Sequence, residues 1–362
     1  MIKKTIAVLL TVLALVTLSA AAYTAGEETD VSLDGSMLDT TAQVNGQTVY
    51  LPVRAVCEAL GYEVIWRDNG GIQAADISKA GDTITLGLTC QEISDNGHVY
   101  AAGVYSGDGI MIISGRMYAD SGLFSSIFPV RSSYDLKDNC VTVRRRCENS
   151  VTVVTERLSS QKEHLKTTIQ YPQLSGLTDN NVQKIINDLL KQSAQNALNQ
   201  GEKNAAEMAQ AIRDGFTGAI GMCETFFDYM VQYNQNGLFS VVLTNYQYAG
   251  GAHGSTVQRS LTFDLLTGKP LRLGDLMIRD SGFTKYINDM IRKQIDQKAA
   301  AGELYEFEFS RFEDVGENPE FYLSHHAVVF YFQEYAHFPY AAGIQEFSVR
   351  FSDLSGMLKK TM

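Results

Sequence analysis

The chain has 362 residues, of which 45% are hydrophobic and 20% charged, with a formal net charge of −11. Such a length suits about two or three domains, and this much apolar material excludes a largely disordered chain. The negative balance excludes a sequence-independent grip on nucleic acid, which needs a positive field. The run Arg144-Arg145-Arg146 ends a strand-like segment and reads as solvated.

Lys3 and Lys4 precede an apolar run, Thr5 to Leu18, and Ala20-Ala21-Ala22 offers a small-residue cleavage site. This is the pattern of an export signal over residues 1–22, with a core too short for an ordinary membrane span. Membrane attachment is expected only if that signal stays uncleaved. Five cysteines (57, 90, 140, 147, 223) follow, with no C-x-x-C spacing, so structural zinc is not expected. Cys57 lies in an apolar helical run and reads as a buried small hydrophobe, and Cys140 with Cys147 is one open pairing.

Residues 23–40 are polar and acidic and read as a linker. From residue 41 a compact pattern begins. Gln47–Arg54 is extended, Ala55–Leu60 is a helix stopped by Gly61, and Tyr62–Trp66 alternates as a strand before the turn cluster Arg67-Asp68-Asn69-Gly70-Gly71. Thr83–Leu88 is a further strand. A degraded copy follows about 68 residues on: Arg116-Met117-Tyr118, the helical Gly122–Phe128, the turn Tyr134–Asn139 and Val141–Val143. The first copy, Tyr50-Leu51-Pro52-Val53-Arg54 with Leu60-Gly61-Tyr62 and Trp66, resembles the copper-amine-oxidase-like N-terminal domain, here over 41–147; the second lacks the Pro-x-Arg and the Leu-Gly. The resemblance implies an envelope spacer or binding module. It brings neither copper nor a quinone, because His98 is the single histidine of this stretch.

Beyond a boundary at 147–150, Val151–Leu158 and His164–Tyr171 read as strands, the second ended by Pro172. A helix starts after Asp179 or Thr178, either of which can cap it, with Val182, Ile185, Ile186, Leu189 and Leu190 at helical spacing. The polar stretch Gln195–Glu207 either extends it or frays. Strands are expected at Phe216–Met222, Glu224–Gln235, Leu238–Tyr248 and Val257–Asp264, with Asn234–Gly237 a hairpin signal. A second helix carries Phe283, Tyr286, Ile287, Met290, Ile291 and Ile295 on one stripe. Phe321–Phe332 and Gln345–Phe351 read as strands, and Asp353–Leu358 as a closing helix. The fold class is α+β: a small repeat module, then an antiparallel sheet with two main helices.

Tyr171-Pro172-Gln173-Leu174 followed by Val182–Asn187 is similar to the segment that precedes the C-terminal domain of PdaC-type peptidoglycan deacetylases. Tyr246–Gly254, Phe263–Leu271 and Phe338–Phe347 resemble that domain and the extracellular lysozyme-sensing domain of anti-sigma-V factors. The likeness divides into a PdaC-like segment, 150–250, and an anti-sigma-V-like domain, 251–358, expected to form one structural unit. Neither parent activity transfers whole. A sigma-factor partner needs a cytoplasmic segment, and only Met1 to Lys4 precede the apolar run. A metal-dependent deacetylase needs paired histidines, and H-x-x-x-H spacing is missing.

The stretch Tyr246-Gln247-Tyr248-Ala249-Gly250-Gly251-Ala252-His253-Gly254 reads as a shaped turn between strands, its glycines allowing positive φ and close approach. Three enzymatic readings compete with a binding one. His253 could serve Ser255 as a base or bind metal with His325, His326 or His337, but no G-x-S-x-G elbow is present and a serine two residues away is poorly placed. Glu303, Glu306, Glu308, Glu313 and Asp314 could supply a glycosidase pair, or simply a solvated acidic face. Tyrosines beside small residues suit an interface or sugar stacking. The expected binding residues are therefore Tyr246, Tyr248, Gly250, Gly251, His253, Tyr335 and Tyr340, with no catalytic or metal-ligating residue and no cofactor. The expected role is an exported, extracytoplasmic binding or sensing protein, its partner a cell-wall polymer such as peptidoglycan or a cationic protein such as lysozyme. A cell-wall polysaccharide-modifying enzyme is the alternative, and a structural spacer a third.

Overall fold

Strands in the first half follow from alternating burial. The computed structural model describes residues 26–359, except 47, 70–71, 80–81, 89–92, 96–97, 101–108, 216–220 and 308–309. The signal-peptide reading, Cys90 and most of the strand expected over 216–222 lie outside the described residues. The chain forms two compact units, one running to Arg145 apart from residues 81–85 and 92–104, the other taking those segments and everything from Arg146.

The first unit corrects the linker reading of residues 23–40. β1 (Glu27–Leu33) and β2 (Ser36–Asn45) are strands, and Thr29, Val31 and Leu33 are buried at every second position. An acidic exposed face on β1 masks this in composition. β3 (Thr48–Pro52) leads into α1 (Val53–Ala59), which Gly61 terminates at φ 87°. β4 (Glu63–Asn69) and β5 (Ile72–Lys79) form a hairpin in which Trp66 faces Ala75. Next in the chain come β6 (Asp82–Gly87), β7 (Ile93–Asp95) and β8 (His98–Tyr100), of which residues 82–85 and all of β7 and β8 belong to the second unit's segments; β7 and β8 pair. The second copy repeats the scheme: β9 (Ile110–Ile113), β10 (Arg116–Asp120), α2 (Ser121–Ile127), β11 (Val130–Asp135) and β12 (Cys140–Arg145). Asp120 caps α2 by accepting from the N–H groups of Gly122 and Leu123, where the first copy has Pro52. One seven-stranded sheet, in the order β11-β12-β1-β2-β3-β10-β9, joins the copies through antiparallel β3 and β10.

Cys140 and Cys147 are both free, so that pairing is not made. β12 runs extended from Cys140 to Arg145. At about 3.3 Å per residue this carries the chain well past disulfide reach before residue 147 arrives. Cys57 is fully buried, and burial pushes its thiol far up.

The second unit is a stack of four layers. β13 (Thr152–Lys162), β14 (Leu165–Ser175), β15 (Cys223–Gln235), β16 (Leu238–Tyr248) and β17 (Ser255–Asp264) make a five-stranded sheet in that order. It is mixed rather than antiparallel, because β14 and β15 run parallel. A parallel neighbour needs a crossover, and α3 (Asn180–Arg213) supplies it. Pro172 does not end β14. The pairing to β15 stops at Ile169, so the missing N–H at Pro172 falls where that side of the strand is free.

Asp179 caps α3, accepting from the N–H groups of Asn181 and Val182. The helix buries Val182, Ile186, Leu190, Ala194 and Ala197 against Ile169, Phe227, Phe239, Val241 and neighbours, Gly201 against Thr225, and Met208 against Leu165 and Cys223. Its polar second half holds because the buried stripe continues with small residues, while Gln195 bonds Asn199 and Gln200 bonds Asn204 on the exposed side. Asn236 (φ 56°) and Gly237 (φ 74°) make the left-handed turn between β15 and β16.

α4 (Leu273–Leu276) and α5 (Phe283–Ala300) precede a three-stranded sheet of β18 (Phe321–Leu323), β19 (Ala327–Phe332) and β20 (Gln345–Arg350). β19 is buried on both faces. Ala327, Val329 and Tyr331 meet Val242 of the larger sheet, while Val328 and Phe330 share a core with Ile287, Ile291 and Ile295 of α5. The strand expected over 321–332 is broken by a bend at His325-His326, and residues 351–357 are turns rather than a helix. The histidine pair therefore sits in a bend, not on a strand as its spacing implied. No helix among the described residues is long and apolar enough to cross a membrane.

Candidate functional site

β17 is an edge strand, and its outward backbone groups would otherwise be open to solvent. The segment after β19 closes them with side chains. Thr256 N–H donates to Glu334 at 3.2 Å, Gln258 N–H to Gln333 at 3.1 Å, and Ser260 N–H to the Tyr331 hydroxyl at 2.9 Å. The Gln333 amide returns a bond to the Gln258 carbonyl at 2.6 Å, so its amide stands in for a strand neighbour. This lacing holds the chain after Phe332 beside the β16–β17 tip.

Three rings stack there. The His253 and Tyr340 centroids lie 4.1 Å apart at 25°, and Tyr335 lies 5.6 Å from Tyr340 at 26°. The Tyr340 hydroxyl donates to the Gly254 carbonyl at 3.2 Å, and His253 Nδ1 lies 2.8 Å from the same oxygen. A carbonyl only accepts, so Nδ1 carries the proton in this geometry. Each stacked pair contributes about 0.5–1.5 kcal/mol beyond its burial. Tyr335 is 56% exposed and adopts φ 65°, a left-handed backbone that presents its ring outward. Partial burial, with the Glu334 carboxylate and the hydroxyls of Tyr246 and Tyr335 close by, pushes the Tyr340 phenol above the ordinary tyrosine value.

The glycines divide by role. Gly250 (φ 91°) and Gly251 (φ 101°) permit the turn, whereas Gly254 makes room: a Cβ there would stand 2.4 Å from the Tyr246 ring. Of the seven expected residues, Tyr246, His253, Tyr335 and Tyr340 thus gather in one cluster. Tyr248 turns to the opposite end of the tip, where its hydroxyl donates to the Gly251 carbonyl at 3.0 Å and its ring lies near Gly221. Gly250 faces Met208 of α3. Glu334 and Gln333, which hold the cluster together, escaped the sequence reading. They lie some eighty residues from the hairpin they bind, and no local pattern announces a side chain acting as a strand partner.

Glu306, Asp314 and His337 of the competing readings have partners elsewhere. Glu306 accepts from Arg292 at 2.9 Å and from the Phe312 N–H at 2.7 Å, and Asp314 accepts from the Gly316 N–H at 2.7 Å. Glu303 and Glu313 are exposed, and Glu308 is outside the described residues. His337 Nδ1 lies 2.6 Å from the Ser310 carbonyl, its ring edge-on to Phe332. Among the described residues, no three His, Cys, Asp or Glu side chains gather as a metal site requires.

Residues 158–256 match the family model described as deacetylase PdaC, 274–352 a protein family of unknown function, DUF3298, and 32–143 the copper amine oxidase N-terminal domain. Among solved structures, a DUF3298-family protein from Bacteroides fragilis is 19% identical over 59% of this chain and 94% of its own, with a TM-score of 0.46. Another DUF3298-family protein, from Pseudomonas aeruginosa, is 19% identical over 58% of this chain and 96% of its own, with a TM-score of 0.38. No curated protein matches the chain. The ring stack draws His253 from the segment matching the PdaC model and Tyr335 and Tyr340 from the segment matching the DUF3298 model. The chain is thus similar in turn to the copper amine oxidase N-terminal domain, to the PdaC domain and to DUF3298, and the last two likenesses point to a cell-envelope associated domain of unknown function.

Proposed function

We propose that the protein works outside the cytoplasm as a binding module, and that the His253–Tyr340–Tyr335 stack is its contact surface for a cell-wall saccharide. The observation that carries this reading is the geometry of the stack: parallel rings ending in a tyrosine more than half exposed. An exposed aromatic face offers the apolar side of a sugar ring a partner at little entropic cost, since tyrosine loses few rotamers on contact. On this reading the protein binds and does not cleave, and it is supported by Glu306, Asp314 and His337, which serve turns and packing.

A second reading is favoured by charge. At −11 the chain attracts cationic proteins, lysozyme being the example the sequence resemblance suggests, and such attraction raises association rates. One experiment addresses both. Purified protein is titrated against insoluble peptidoglycan and against lysozyme at low and physiological salt, with soluble muropeptides and acetate assayed in the peptidoglycan supernatant. Salt-tolerant co-sedimentation without released product supports the saccharide reading. A salt-sensitive complex with lysozyme alone transfers support to the second, and released muropeptides or acetate overturn the non-enzymatic role.

A further inference from the structure

The first unit holds a cleft of about 320 Å³ between α1, the β4–β5 hairpin and the β9–β10 hairpin. That volume lies at the small-molecule end of ligand pockets. Its floor is apolar: Pro52 and Val53 at the start of α1, Val64, and Ala75. Trp66 forms one wall. Val64 and Trp66 are two residues apart on β4 and so share a face, and the register sets Trp66 opposite Ala75, whose small side chain leaves the indole uncovered. Trp66 remains 38% exposed, as does Ile112 on the facing β9. Large apolar groups left open around a concave surface call for a ligand rather than for solvent.

The rim is charged yet neutral in sum. Arg54, Arg116, Asp39 and Glu58 all line it. Arg54 is committed: it bonds Glu58 at 3.1 Å and the Val64 carbonyl at 2.8 Å, which fixes it at the mouth. Asp39 and Arg116 form no salt bridge among the described residues and are exposed, so one acceptor and one donor stand ready. Two positive and two negative groups give no net field, which disfavours an anion or a cation. A ligand with many hydroxyls uses both donors and acceptors and needs no charge of its own. With an indole wall for its apolar face, these features select one chemistry.

We infer that this cleft binds a neutral pyranose sugar of one or two rings, stacked on Trp66 and hydrogen-bonded by Arg116 and Asp39. The inference stands on the first unit alone and does not depend on the tyrosine stack of the second.

Trp66 is the single tryptophan of the chain, so fluorescence excited beyond the tyrosine band reports this cleft selectively. The full chain is titrated with cellotriose and with chitotriose, then with glucuronate and trialanine as charged and peptidic probes. Saturable change of Trp66 emission with at least one neutral sugar is expected. Arg116→Ala, at an exposed strand position, should weaken it about tenfold, the loss of one hydrogen bond from a charged donor, with the unfolding midpoint checked alongside. Asp39→Asn keeps the shape and should weaken it less. The inference is overturned by no saturable change with either sugar, or by saturation with glucuronate or trialanine alone. Binding unaltered in both variants also overturns it, because the ligand then lies elsewhere.

Discussion

Gly201 lies in the middle of α3, where the helix touches β15. In an exposed helix, Gly→Ala stabilises by about 1 kcal/mol through helix propensity. Here the added Cβ would stand 1.9 Å from Thr225 Oγ1 and 3.1 Å from its Cβ. Thr225 is fully buried and donates to Gln247 at 3.0 Å. Turning its hydroxyl away breaks that bond, a loss of about 1 kcal/mol. Displacing the surrounding buried packing costs about 1–3 kcal/mol more. Set against the propensity gain, Gly201→Ala should destabilise by about 1–3 kcal/mol. Urea unfolding followed by the helical circular dichroism signal measures this, and a double-mutant cycle with Thr225→Ala should recover part of the loss, since the cycle removes the clashing oxygen. A Gly201→Ala chain as stable as the parent or more so would refute the close approach of α3 to the sheet.

Three further outcomes follow from named contacts. Gly254→Ala should cost only about 1 kcal/mol, because the clashing atoms are the far end of the Tyr246 ring, which can swing aside; the ring-proton shifts of Tyr246 and Tyr340 should move, and unchanged shifts would contradict the cradle. Burial pushes the Tyr331 phenol up to about 12 from 10.0. Between those values the unfolded chain releases a proton that the fold retains, so stability should fall as pH rises, and Tyr331→Phe should flatten that slope in alkaline urea titrations. The Asp275 carboxylate is held below its usual range, first by the Arg272 N–H at 2.9 Å and then by Lys269. Its contribution is present above the unfolded aspartate value and is lost as pH falls through the folded one, so Asp275→Asn should weaken the acid dependence of the unfolding midpoint.

Much of this was legible wherever a local signal has one physical meaning. Asn236-Gly237 gave the hairpin, Asp179 the helix start, and the offset of Val49-Tyr50 against Arg116-Met117-Tyr118 the repeat. What failed depended on partners distant in the chain. β1 hides its buried Val31 and Leu33 among acids because only one face of the strand needs to be apolar. The second half of α3 reads as polar because Ala194, Ala197 and Gly201 bury little side chain while letting the helix sit close. Pro172 signals a stop by rule, yet it is harmless where β15 has already left. The site shows the same division. Tyr246, His253, Tyr335 and Tyr340 stood out as aromatics among small residues, but their stacking required Gln333 and Glu334 to bind a strand edge some eighty residues earlier. Nothing marked Arg116 and Asp39 as rim residues, since a cleft rim is defined only once three elements meet.

The central claim is that the exposed end of the ring stack contacts a cell-wall saccharide, and Tyr335→Asn tests it most directly. Asparagine tolerates the left-handed φ of 65° better than alanine would, so the variant keeps the backbone and removes only the ring. Co-sedimentation with peptidoglycan at physiological salt should fall about tenfold relative to the parent, the loss of a stacking contact worth about 1–1.5 kcal/mol, while the fold loses no more than the Tyr335–Tyr340 stack, about 0.5–1.5 kcal/mol. Equal co-sedimentation of parent and variant, both folded, would contradict the account.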